Sequence, residues 1–114
     1  MPAPGSLRYH RTPLPIVSEV MPGGPVTVKL AVFNHQAPVV TRYIHIFDRS
    51  DIPPNGSRPL IEFTIYPNGM VSYTPAFDGR KFSRGFVVCL SSTPTVYTPS
   101  AAAELTYQVE GIDV

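Results

Sequence analysis

The sequence predicts an all-β fold: a single antiparallel β-sandwich or jelly-roll-like barrel over residues 26–114, preceded by an extended proline-rich arm over residues 1–25. Three observations predict it. Fourteen Pro and eight Gly make up about a fifth of the 114 residues, against a usual share of roughly 12%, so the chain is cut by frequent turns. Between the turns lie six apolar runs of strand length, several of them alternating with period two. No stretch of ten or more residues has the spacing of an amphipathic helix, and only Ser100 to Glu104 suggests a helical turn.

The prolines map the elements, because each lacks an amide donor and is excluded from the interior of a central strand. Residues 1–25 contain six prolines and leave only Ile16-Val17-Ser18-Glu19-Val20 as a candidate edge strand. The rest of that segment reads as an extended arm, either disordered or ordered by lying on something else such as a neighbouring subunit. Val26 to Phe33 places Val26, Val28, Leu30 and Val32 on one face, the pattern of a half-buried strand. Val40 to Asp48 sets Tyr43, His45 and Phe47 against Arg42, Ile44 and Ile46, which suits a strand covered on both sides.

Leu60 to Tyr66 and Met70 to Thr74 flank Pro67-Asn68-Gly69, where Pro fixes φ and Asn and Gly tolerate positive φ. A tight turn is expected there, with Ile61, Phe63 and Ile65 on one face and Val71 and Tyr73 as cross-strand partners. Phe86 to Leu90 reads as a buried strand, and Leu105 to Glu110 alternates as the last one.

Charge and size narrow the function classes. One domain's length leaves no room for a second catalytic lobe. Nine Lys and Arg against eight Asp and Glu give a net charge of +1, too little to steer the whole molecule to nucleic acid or an anionic membrane. All nine basic residues lie in 1–84, whereas 85–114 contains only acidic ones, Glu104, Glu110 and Asp113. Ends of opposite sign are explained by two solvated faces, with head-to-tail meeting of copies as the alternative. The single cysteine, Cys89, forms no internal disulfide and fits a reducing compartment. No apolar run reaches the 18 or more residues of a membrane span, and the N-terminus lacks the pattern of a signal peptide.

A search for catalytic chemistry assigns no catalytic residue, no metal ligand and no cofactor. His10, His35 and His45 lack partners at metal-site spacing. Cys89 sits in an apolar run, where a thiol is buried and inert. Asp48 and Asp51 flank Arg49 at the mouth of a Pro-Pro loop, where charges face water. Two surfaces stand out for binding. Arg8, Tyr9, His10 and Arg11, with Ile16 and Val17, give the arm the residue types enriched at interface hot spots. Arg80, Lys81, Phe82 and Arg84 mix cations with an aromatic, the means by which single-stranded nucleic acid is held; a basic turn entering a core strand explains the same residues.

The run Lys81-Phe82-Ser83-Arg84-Gly85-Phe86, leading through Val87 to Leu90 into Ser91-Ser92-Thr93-Pro94-Thr95, then Thr98 and Ala101-Ala102-Ala103, resembles small structural proteins of tailed-phage virions. There a Phe-Ser-x-Gly strand enters a Ser/Thr-rich loop, alanines and a final strand. Leu30-Ala31-Val32-Phe33-Asn34 and Ile52-Pro53-Pro54-Asn55-Gly56-Ser57 resemble two further segments of the same group. The resemblance spans about residues 28–110. It implies a non-enzymatic β-sandwich, either a capsid decoration (cement) protein or a tail, neck or baseplate component. Its expected partners are other virion proteins, foremost the major capsid protein, and further copies of itself in a trimer or other closed homo-oligomer. Its expected place is the virion, assembled in the cytoplasm of a bacterial host. The competing reading is a carbohydrate-binding sandwich in which Tyr66, Tyr73 and Tyr97 stack on sugar.

Overall fold

The computed structural model describes residues 7–13, 18–20, 26–75, 79–100 and 104–113, with side-chain surroundings for 26–75, 79–100, 104–109 and 111. Nine strands are described: β1 (Leu7–Pro13), β2 (Ser18–Val20), β3 (Val26–His35), β4 (Arg42–Phe47), β5 (Ile61–Ile65), β6 (Met70–Tyr73), β7 (Arg80–Phe82), β8 (Val87–Ser91) and β9 (Leu105–Asp113). They form two antiparallel sheets. The first has the order β1-β9-β3-β6, with β7 also pairing β3, and the second has the order β2-β8-β4-β5. The fold is all-β, as expected, with no α-helix among the described residues. The helical turn expected over 100–104 falls mostly on 101–103, outside them.

Both sheets feed one core. Val26, Val28, Ala31 and Phe33 of β3 and Leu105, Tyr107 and Val109 of β9 pack in one cluster with Ile44 and Ile46 of β4 and Val88 and Leu90 of β8. Phe82 and Phe86 join it edge to face, with ring centroids 4.9 Å apart. Fully burying an aromatic or branched aliphatic side chain contributes roughly 1.5–3 kcal/mol, so this cluster is the main source of stability.

The alternation of β3 is not the regular one expected. Val26 and Val28 are buried, but the next buried residues are Ala31, Phe33 and His35, while Leu30 and Val32 are only half-buried. The register against β9 steps between Val28 and Leu30, leaving Lys29 as an extra residue. A β-bulge of this kind moves every later side chain to the opposite face. It sits where the far edge of β3 changes partner, from β7 at Val26–Val28 to β6 at Ala31–Asn34.

Pro67-Asn68-Gly69 does form the tight turn. The Gly69 N–H donates to the Tyr66 carbonyl at 2.8 Å and Asn68 has φ 52°, as a type II turn requires at its third residue. The flanking strands do not pair with each other, however. β5 pairs β4 in one sheet and β6 pairs β3 in the other, so the turn carries the chain between sheets. Phe63 and Tyr73, expected as ladder neighbours, instead meet ring to ring at 5.4 Å at the margin of the shared core.

Two strands lie within the segment read as an arm. β2 is an edge strand paired to β8, at the position expected of Ile16–Val20. β1, whose pairing was not expected, lies against β9 along its whole length, from Leu7 opposite Ile112 to Pro13 opposite Thr106. Backbone hydrogen bonding to an open sheet edge needs no apolar pattern, which is why composition does not reveal it.

Candidate docking surface and the loops around it

Three large apolar side chains stand exposed on the 36–41 loop, the 66–69 turn and the start of β6. Val39 is 82% exposed, and Tyr66 and Met70 are each 66% exposed. Their backbones are fixed. Asn68 N–H donates to the Ala37 carbonyl at 3.2 Å and His35 N–H to the Gly69 carbonyl at 2.9 Å, so the 36–41 loop and the 66–69 turn are tied together. The buried His35 ring secures the same loop, with Nε2 2.8 Å from the Val40 carbonyl oxygen and Nδ1 3.0 Å from that of Glu104. Arg42 reinforces the base, its Nε 3.1 Å from Glu104 Oε1 and donating to Ser100 Oγ at 2.6 Å. Apolar side chains held in water on a fixed scaffold suit a surface that another protein covers.

Arg8, Tyr9, His10 and Arg11 lie on β1, at the open edge of the first sheet. Ile16 and Val17 lie outside the described residues. Of the basic cluster, Arg80, Lys81 and Arg84 are exposed, but Phe82 is fully buried against Phe86. Phe82 is therefore not a surface residue. On β7, period two turns it inward opposite Val26, and the cations are left without the aromatic platform on which bases would stack.

Asp48 does more than face water. Its Oδ1 accepts the backbone N–H groups of Arg84 (2.8 Å) and Gly85 (3.2 Å), and its Oδ2 accepts the N–H (3.3 Å) and hydroxyl (3.2 Å) of Ser83. Burial works to raise this carboxyl, but the amides of Arg84, Ser83 and Gly85 and the Ser83 hydroxyl outweigh it and hold the group below its ordinary value. The stitch depends on Gly85. A Cβ there would stand 2.3 Å from the Arg49 carbonyl oxygen. Beside it an open cleft of about 350 Å³ is lined by Arg49, Ser50, Asp51 and Arg84, with Arg49 bound to Asp51 at 3.0 and 3.3 Å.

The outer face of the second sheet holds a buried histidine. His45 lies between Cys89 of β8 and Glu62 of β5 in register, is fully buried, and has Nε2 2.9 Å from Glu62 Oε1. The same Glu62 oxygen accepts the N–H of Thr95 at 2.6 Å. Phe47, Val87, Cys89 and Tyr97 form a second buried cluster on this face, with the Tyr97 ring 6.3 Å from His45 and 6.1 Å from Phe47. Tyr97 is thus a cover for the sheet and not a loop platform for sugar. Tyr73 is half-buried against Phe63, so of the three candidate tyrosines only Tyr66 is exposed. Cys89 is buried, as its apolar run suggests.

No protein-family model matches the chain, and no curated protein or solved structure matches it either. Val39, Met70, Glu62 and Thr95 were not among the residues the sequence singled out. Period two in β6 does place Met70 opposite to Val71 and Tyr73, so its exposure was accessible. Nothing local marks Val39 or links Glu62 to Thr95, because those relations depend on how distant loops meet.

Proposed function

We propose that the chain is a β-sandwich structural protein of a phage particle, most specifically a capsid decoration or cement protein. In this reading it self-associates and docks on the particle through its exposed apolar residues and its sheet edges. The sandwich arrangement is supported by the core shared between the sheets, with no pairing between strands of different sheets among the described residues. The observation that carries docking is the fixed, exposed group Val39, Tyr66 and Met70. The virion setting, with assembly in the host cytoplasm, rests on the resemblance of residues 81–103 and of the two upstream segments. A tail, neck or baseplate position uses the same surface.

The test measures mass by light scattering for the purified chain, alone and after mixing with phage heads, and separately tails, stripped of accessory proteins. A closed oligomer that rebinds heads is the expected result, and the double variant Val39→Ser, Met70→Ser should rebind at least tenfold more weakly while keeping the wild-type circular dichroism. Rebinding to tails alone moves the protein to the tail. A monomer that binds neither, or one that binds a glycan panel through Tyr66, overturns the reading.

A further inference from the structure

We propose that the 92–99 loop is an acid-sensitive latch, closed over Cys89 by the chain His45–Glu62–Thr95 and by the Tyr97 ring, and released when His45 takes up a proton. The loop lies across the outer face of the second sheet, where Tyr97 packs with Phe47, Val87 and Cys89. Thr95 is its strained point. This β-branched residue has φ 73°, a region costly for any residue but glycine, and its N–H is held by Glu62 Oε1. Tyr97 inserts behind it, 1% exposed, with its N–H donating to the Ser57 carbonyl and its own carbonyl accepting the Gly56 N–H, each at 2.8 Å. The Ser91 hydroxyl gathers the loop base, donating to the Thr93 carbonyl at 2.7 Å and accepting the Thr98 N–H at 3.0 Å.

His45 is what makes this closure sensitive to acid. Its Nε2 has Glu62, but its Nδ1 is buried with no hydrogen-bond partner. A neutral ring donates from Nε2 and leaves only a lone pair at Nδ1. A protonated ring would present an N–H at Nδ1 to the walls of an aromatic pocket, where an unmet donor of a charged group is costly. The groups facing the ring are Glu62 from β5, Cys89 from β8 and Tyr97 from the loop, with Phe47 beside it on β4. Of these, Glu62 favours the cation. Burial prevails over Glu62, and the His45 pKa is lowered from 6.5.

The sign follows. Any opened state that hydrates His45 gains a proton below about pH 6.5, which the closed state takes up only at lower pH. The closed form is therefore favoured at neutral pH and loses ground as pH falls, by at most about tenfold per pH unit for one proton. The only cysteine of the chain lies under the latch and reports its opening.

The experiment follows the reaction of Cys89 in the full chain with 4,4′-dithiodipyridine from pH 7.5 to 5.0, each rate divided by that of the urea-unfolded chain at the same pH. Amide exchange at Thr95 and Tyr97 is compared with exchange at Phe33 and Val109 in the main core. Protection of Cys89 should fall several-fold between pH 7.5 and 5.5, within the roughly tenfold that one proton taken up near pH 6.5 allows, with Thr95 and Tyr97 following it and the core amides unchanged. In His45→Gln, which does not titrate, the fall should vanish. In Glu62→Gln, which keeps an acceptor for Thr95 but removes the charge that favours the cation, it should deepen. Protection that is constant with pH, that falls together with the core amides, or that falls equally in His45→Gln overturns the latch; should His45→Gln not fold, the Glu62→Gln comparison decides in the same way.

Discussion

The outward faces of the two sheets are finished differently. On the first sheet, Leu30 and Val32 of β3 are half-buried and Asn34 is exposed, an ordinary solvent-side surface. On the second sheet, Val87 and Cys89 of β8 and His45 and Phe47 of β4 are all buried under Tyr97 and its loop. A face left to water can be polar and tolerant, whereas a face closed by a loop depends on a few specific bonds. Stability is therefore spread unevenly, and a short cover held by a few specific bonds is the region expected to open first.

Tyr97→Ala breaks the contrast most directly. The lost ring contacts with His45 and Phe47, with partial collapse of the loop into the gap, should cost about 2–4 kcal/mol. Urea unfolding checks the cost, and Cys89 should become at least tenfold more reactive in the folded protein. A tyrosine deletion costing little, with the thiol still protected, would mean that the cover is not Tyr97.

The inward face of the first sheet sharpens the contrast from the other side. Ala31 is fully buried between Val28 and Phe33, so Ala31→Leu overfills the core and should destabilise by about 1–3 kcal/mol. Regular alternation from Val26 would instead put residue 31 outside and make the change harmless. Differential unfolding in urea separates the two, because only a core position moves the midpoint by that amount.

Much of this was legible in the sequence, and the failures share one cause. The all-β class, six of the strands, the two-sided burial of β4 and the turn at Pro67-Asn68-Gly69 all follow from patterns spanning fewer than ten residues. The bulge at Lys29, the crossing of β5 to β6 between sheets, the pairing of β1 with β9 and the Asp48 cradle are set by partners tens of residues away. Asp48 shows why: its partners lie 35 to 37 positions on, and nothing around Asp48-Arg49-Ser50-Asp51 distinguishes a carboxylate that caps a remote turn from one in water. Among the exposed apolar residues, the exposure of Met70 was readable from period two and that of Val39 was not.

Asp48 also sets a limit on the stitched loops beside the covered face. Asp48→Ala leaves the amides of Ser83, Arg84 and Gly85 to water and should cost about 1–2 kcal/mol at pH 7. Because the folded pKa of Asp48 lies below its usual 3.8, the carboxylate's contribution is complete above that value and is lost as pH falls from about 4 through the folded pKa. In Asp48→Asn that part of the acid sensitivity should be missing. Thermal unfolding of wild type and variant from pH 6 to pH 2.5 provides the check: the two curves should converge at the acid end, and parallel curves would show that Asp48 is not bonded as described.

The smallest effect tests the open face. Leu30 belongs by naive alternation with Val26 and Val28, and as a core leucine its truncation would cost about 2–5 kcal/mol. The bulge turns it outward, where it is half-buried opposite Glu110. Leu30→Thr places a strand-favouring β-branched side chain at a partly solvated site, so the expected cost is about 1 kcal/mol or less. The two values differ enough for one urea curve to decide between them. A loss above about 2 kcal/mol would place Leu30 in the core, remove the bulge, and with it the distinction drawn between a face finished by water and a face finished by a loop.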